Sequence, residues 1–287
     1  VSRLIVNADD YGYTGGINRA VQALHTLGAL SSATAMATGN ALGSGLSTRV
    51  SLGCHIVLVD GRPAAELSAI PSLLAPDCPE LPVFRPTLLR FLADLQRGRI
   101  RDREIEAEAV AQIQALQQRG IQLTHVDTHK HTHMFPRVLR PVLRAALQCG
   151  VKAVRNPFEP EWARAATHGA PWTRRLEVSL LARYRHVFLK EVTRAGLRTT
   201  SGALGVLATG SLDTPTLRAV LAALARRGEP TAAYELVCHP GYVDAELQAQ
   251  RTRLQGAREV ERAALAEVIP DETGPLGAHS LIDFTTL

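Results

Sequence analysis

Short apolar runs alternate with longer stretches of helical period along this chain, and that alternation restricts the fold more than any other feature. Residues 4–8, 33–37, 52–59, 124–127, 151–155 and 233–238 read as strands. Residues 16–27 before Gly28, 102–119 before Gly120, 137–148, 214–227 before Gly228 and 258–266 read as helices. The span 102–119 is the clearest, with Ile105, Val110, Ile113 and Leu116 among its apolar positions. Residues 280–284 form a last short strand. Repeated strand-then-helix order predicts parallel strands covered by helices. With 287 residues, 46% of them hydrophobic and 21% charged, the chain can bury one such core and is not of disordered composition.

Residues capable of chemistry collect where these runs end. The first strand runs into Asp9-Asp10-Tyr11-Gly12. Adjacent carboxylates at a strand exit repel each other and lose solvation unless a cation or a proton lies between them. A turn built on Asp and Gly is the plain alternative. His55 stands inside the apolar run 52–59, where a lone histidine is more often a core residue. The richest stretch is Thr124-His125-Val126-Asp127-Thr128-His129-Lys130-His131-Thr132-His133, which carries four of the ten histidines. On an extended backbone His129, His131 and His133 share one face and Lys130 points away, toward the surface or a substrate rim. Imidazoles and a carboxylate this close can hold a divalent metal and supply acid–base groups beside it. A solvated His-rich loop is the alternative.

Four blocks, Asn7-Ala8-Asp9-Asp10-Tyr11-Gly12, Gly53-Cys54-His55, Thr124 to His133, and Val237-Cys238-His239-Pro240, resemble in content, order and spacing the YdjC/ChbG carbohydrate deacetylases. The resemblance runs from residue 3 to about 244 and is weakest between about 156 and 200. Within the family it is nearest to the hopanoid-biosynthesis-associated deacetylases known as HpnK. Where many members have three consecutive histidines, this chain has His129-Lys130-His131. The resemblance implies metal ligands Asp10, His55 and His129, a general base at Asp9, and His239 as the acid or as a stabiliser of the oxyanion. Arg155, at a strand end, could orient Asp9 by charge-assisted hydrogen bonds; a surface ion pair is its other reading. Tyr11, His131 and His133 are candidate substrate contacts, and His125 and Asp127 candidate partners that fix ring orientation. One divalent ion is implied, magnesium or zinc. Candidates at the ends of separate strands suit a (β/α) barrel, whose sites sit at the strand C-termini. The resemblance likewise implies a distorted barrel of the glycoside hydrolase/deacetylase type, a single deacetylase domain over 1–287 with an inserted lid or wall at about 156–198.

The implied activity is hydrolysis of the acetyl amide of an N-acetylated sugar. Two substrates compete: an N-acetylglucosaminyl glycolipid of hopanoid biosynthesis, and a soluble N-acetyl chitooligosaccharide. A groove for the second wants stacking aromatics, and only 5% of residues are aromatic. The first wants apolar and basic groups facing a membrane, and residues 160–190 supply both; an amphipathic helix packed on the barrel is the alternative. A different mononuclear hydrolase, such as a phosphoesterase, would usually want more carboxylates or a second metal. The net charge of +5 comes without a nucleic-acid motif, so no nucleic-acid partner is expected. Cys54, Cys78, Cys149 and Cys238 form no CxxC pair, which predicts free thiols and a cytoplasmic setting, with peripheral contact to the inner membrane if the substrate is a lipid. Six of the 16 prolines lie in residues 60–100, predicting a long excursion over the sheet.

Overall fold

The computed structural model describes residues 2–43, 50–77, 80–250, 252–270 and 280–287, so Cys78 lies outside the described residues. Parallel pairing runs β4-β3-β2-β1-β6-β5, where β1 is Arg3–Tyr11, β2 Ser32–Ala35, β3 Ser51–Ile56, β4 Leu123–Thr128, β5 Gly202–Leu204 and β6 Ala233–Cys238. A short β7, Ser280–Leu281, pairs with the start of β1. Isolated parallel bridges from Val126 to Val154 and from Ala153 to Arg198 carry the circuit past β4. Just beyond, the Ser201 N–H donates to the Ala233 carbonyl at the start of β6 (2.8 Å). The strands thus curl about one axis as a distorted (β/α) barrel, least regular between β4 and β5. The strand expected at 151–155 is reduced to those bridges, because Asn156-Pro157 turns the chain out of the sheet.

The helices, in chain order, are α1 (Gly15–Thr26), α2 (Leu88–Gln96), α3 (Asp102–Gln117), α4 (Pro136–Gln148), α5 (Glu161–Ala166), α6 (Trp172–Leu181), α7 (Arg185–Ala195), α8 (Thr214–Arg227), α9 (Ala245–Gln248) and α10 (Gln255–Val268). Caps decide several of their starts. Thr14 accepts from the Ile17 N–H at α1, and Asp213 accepts from the Thr216 N–H at 2.9 Å at α8. α3 buries a polar row beside its apolar one. Glu104 accepts from the Ser72 N–H, Glu108 from those of Ala64 and Ala65, and Gln112 exchanges hydrogen bonds with both backbone groups of Val57. That row satisfies the backbone of the long excursion after β3, which has little regular structure of its own apart from α2.

Alternate strand residues face the barrel axis. Ile5, Ala153 and Phe284 pack together, and Phe284 stacks on the His125 ring with centroids 3.6 Å apart. The C-terminal segment therefore plugs the N-terminal end of the barrel. A Cβ on Gly53 would stand 2.4 Å from the His125 ring, so β3 needs glycine there. Above this layer comes Arg155, fully buried and tied to carboxylates from three strands. Above that lie Asp10, His55, His129 and His239, at the C-terminal strand ends.

Candidate metal and acid–base site

Asp9 and Asp10 reach the same site because β1 breaks its pleat between them. A regular strand sends neighbours to opposite faces. Here the register shifts between Ala8 and Tyr11, and Asp10 takes a left-handed backbone with φ 68°. Such a conformation costs a non-glycine residue about 1–3 kcal/mol and persists where the surroundings hold it. The hold comes from α10: an Arg258 guanidinium nitrogen lies 2.5 Å from Asp10 Oδ2.

The other carboxylate oxygen, Asp10 Oδ1, is buried with no hydrogen-bond partner among the described residues. It lies 3.4 Å from His55 Nε2 and 3.6 Å from His129 Nδ1, and the two ring nitrogens are 3.3 Å apart. Ligand atoms of a tetrahedral cation with bonds of about 2.0–2.1 Å stand about 3.3 Å apart, so the three atoms have the spacing of a metal site. The opposite edge of His55 fits the same role. Its Nδ1 lies 2.8 Å from Asp127, which fixes the tautomer that leaves Nε2 as an electron-pair donor. Burial opposes a charge on His55, but Asp127 and Asp9 outweigh it and push this imidazole up to about 9, so a cation at Nε2 would take the place of a proton. A second cluster, Asp9, His55 and Asp127, has ligand-like proximity too. The Arg155 guanidinium, hydrogen-bonded to both of those carboxylates, already supplies its cation.

Arg155 clamps Asp9 with two hydrogen bonds, 2.7 Å to Oδ1 and 2.8 Å to Oδ2. Burial pulls the Asp9 carboxyl upward, and Arg155, His55 and His239 overcome that and hold it well below the usual carboxylate range. Asn7 and Thr34 donate to Oδ1 as well, at 3.1 Å each. Asp9 is thus an ionised acceptor of fixed orientation. Glu235, the third carboxylate on Arg155, is pushed up to about 7 by burial, while Asp9 and Asp127 are lowered, so of the three it takes up a proton most readily.

His239 Nε2 stands 3.7 Å from Asp9 Oδ2. Burial works against its protonation, but Glu261 and then Asp9 and Asp10 raise its pKa above the usual imidazole range. Glu261, on α10, accepts the backbone N–H groups of His239 at 2.6 Å and Gly210 at 3.1 Å, and its Oε2 lies 3.8 Å from His239 Nδ1. Side by side, then, stand a carboxylate whose surroundings favour its charge and an imidazole whose surroundings favour its proton.

The histidine run departs from the extended geometry that its alternation suggested. β4 ends at Thr128, and residues 129–134 form a tight 3-10 turn with Lys130 at φ 56° and His131 at φ 50°. Thr128 Oγ1 bends the chain back by accepting the His133 N–H (3.0 Å) and contacting His133 Nδ1 (2.7 Å). Only His129 therefore points at Asp10 and His55. His133 is fully buried, with Nε2 on the Arg155 carbonyl at 3.2 Å, and works as a brace. His131 is half-buried, its Nδ1 without a hydrogen-bond partner among the described residues. Lys130 pairs with Asp60 at 2.9 Å on the rim. Tyr11 is buried in the core between β1 and α1, its hydroxyl 3.5 Å from Gln22, rather than lining an open pocket. Arg155 is an interior residue, not a surface ion pair. The sequence marks Arg258 and Glu261 only as part of a late helix. Their spacing of three residues beside Ala264 and Leu265 puts charge on an apolar face, the one signal that could have marked them.

The YdjC-like protein family model matches residues 3–269. A carbohydrate deacetylase of Brevibacillus brevis is 34% identical over 161 residues, covering 54% of this chain and 60% of the relative. A chitooligosaccharide deacetylase of Salmonella schwarzengrund is 26% identical over 249 residues, covering 84% of this chain and 82% of the relative. The chain thus spans less than two thirds of the first relative's length. A crystal structure of a protein from Enterococcus faecalis V583 superposes with a TM-score of 0.76 at 20% identity, covering 99% of this chain and 98% of that one, a likeness of fold.

Proposed function

The chain belongs to the YdjC-like protein family, and we propose that it is a metal-dependent carbohydrate N-deacetylase. The observation that carries this reading is the pairing of Asp9 with His239, 3.7 Å apart, beside the Asp10–His55–His129 triad. Asp10, His55 and His129 would hold one divalent ion, zinc or magnesium. Such an ion, when bound, acidifies water and polarises a carbonyl. Asp9, fixed by Arg155, takes the proton of the attacking water. His239, supported by Glu261, gives its proton to the departing amine. Groups whose surroundings drive their pKa values apart are suited to base and acid roles at one pH. The relatives' names, carbohydrate deacetylase and chitooligosaccharide deacetylase, support the substrate class.

Within that class we favour an N-acetylglucosaminyl glycolipid of hopanoid biosynthesis over a soluble chitooligosaccharide. The support is the resemblance to HpnK together with a basic and apolar segment at the catalytic end. A phosphoesterase is disfavoured because the second carboxylate cluster is occupied by Arg155. Acetate release should be measured from an N-acetylglucosaminyl lipid, from chitooligosaccharides and from a phosphomonoester, each with and without chelator. Chelator-sensitive acetate release, fastest on the lipid, is expected. Phosphate release without acetate would overturn the deacetylase reading, and a preference for oligosaccharides would overturn the lipid one.

A further inference from the structure

We propose that α6 and the turn after it form a docking edge for an anionic membrane surface. The inference rests on the glycolipid reading for its purpose, but not for its test.

α6 carries Trp172, Leu176 and Leu180 at intervals of four residues, 74%, 50% and 50% exposed. Four-residue spacing puts these side chains on one face, so they make a continuous apolar ridge that the described residues leave uncovered. The opposite side of the segment is anchored. Val178, Phe188 and Val192 are buried, and Phe188 packs edge-on to His133 at 6.1 Å. The anchors also locate the ridge. Arg174 donates to the carbonyl of Val206, just past the end of β5, at 3.3 Å. Tyr184 meets Phe135, just past the histidine turn, at 5.7 Å between ring centroids. The segment therefore spans the barrel's C-terminal rim, the end where Asp9, Asp10 and His239 stand.

Charge identifies the surface that fits. Residues 161–198 hold eight Lys and Arg against three Asp and Glu, a net +5 equal to that of the entire chain. Arg198 reaches the Leu287 carbonyl at the other end of the barrel (2.7 Å), but residues 161–185 alone hold five Arg against two Glu, a net +3, so over half of the chain's net charge lies along this ridge. Arg183 and Arg185, both exposed, follow the ridge directly. An apolar ridge with a tryptophan at one end and arginines at the other matches the interfacial layer of an anionic bilayer, where acyl chains meet phosphate headgroups. No helix among the described residues is long and apolar enough to cross a membrane; the contact proposed is peripheral.

Arg174 and Arg175 do not belong to the docking set. Arg175 donates to the carbonyls of Arg164, Thr167 and Ala170, and Arg174 to Val206, so both shape the segment. Trp162 leans edge-on against Tyr234 at 5.6 Å, and Phe188 is buried, so of Trp162, Trp172 and Phe188 only Trp172 is free to insert.

The test is flotation with vesicles of phosphatidylcholine alone and of phosphatidylcholine with phosphatidylglycerol, at low and high salt. The wild-type chain should float with the anionic vesicles at low salt. A W172A/L176S/L180S variant should bind them at least about tenfold more weakly, and R183Q/R185Q should lose the preference for phosphatidylglycerol. In an otherwise unchanged Trp162→Phe chain, Trp172 emission should shift to shorter wavelength on adding anionic vesicles, a readout that leaves the ridge intact. Acetate release from a short soluble N-acetylglucosamine oligomer should be unaltered in the ridge variant, which separates this proposal from the deacetylase reading. Absence of flotation, undiminished binding by the ridge variant, or a wild-type dimer that the ridge variant abolishes would overturn it; the last would make the ridge a contact between copies.

Discussion

Asp9 and Asp10 are neighbours with different work, and substitution separates them. Asp9→Asn keeps the shape of the side chain but removes the charge that accepts a proton. It should lower kcat by at least about 10²-fold while leaving metal content, measured by elemental analysis, unchanged. Normal turnover in that variant would place the base elsewhere. Glu261→Gln addresses the acid. Glu261 raises the pKa of His239, which must be protonated to act. Removing the carboxylate charge lowers that pKa, so the alkaline limb of the kcat/KM–pH profile should move to lower pH; an unmoved limb would show that His239 is not the acid. The pair Asp9-Asp10 and the histidines were legible as candidates because the residue types are rare together. The bulge that turns both carboxylates into one site was not, since φ 68° at Asp10 depends on an Arg258 that lies 248 residues away.

At the scale of elements, helices with a strong start and a clear period could be read from local chemistry. Residues 214–227 were expected as a helix and form one, capped by Asp213 and closed at Gly228. Residues 156–198 show no clean period, yet fold into α5, α6 and α7, because their apolar side chains divide between burial on the barrel and the exposed ridge of α6. Glu159, which enters this segment, gives it a pH dependence. It accepts the N–H groups of Gly205 and Leu207 at 2.9 and 2.8 Å, and burial pushes it up to about 7 from an ordinary 4.5. The folded chain therefore binds more protons than the unfolded chain between those values, and its stability falls as pH rises through that window, by at most about 3 kcal/mol. Denaturant unfolding at a series of pH values should show this decline in the wild type and a flatter profile in Glu159→Gln. Equal slopes in the two proteins would assign the dependence to other groups.

Across the whole molecule, function is stacked along the barrel axis: a plug of Ile5, His125 and Phe284, then the Arg155 hub, then the ligand triad. The alternation of apolar runs with helical stretches along the chain made the parallel sheet legible. The plug was not, because residues 280–284 carry no mark of what they cover. Phe284→Ala should cost about 3–5 kcal/mol in denaturant unfolding, the usual loss for a buried aromatic; a loss below about 1 kcal/mol would mean that the plug carries no core. The central claim is that Asp10, His55 and His129 bind one divalent ion on which acetate release depends. It is tested most directly by stripping the protein with chelator, titrating zinc or magnesium back, and following bound metal and acetate release together in the wild type and in His55→Ala. The account predicts one ion per wild-type chain with activity rising in step, and neither in the folded variant. Full acetate release from the stripped enzyme, or from His55→Ala, would contradict it.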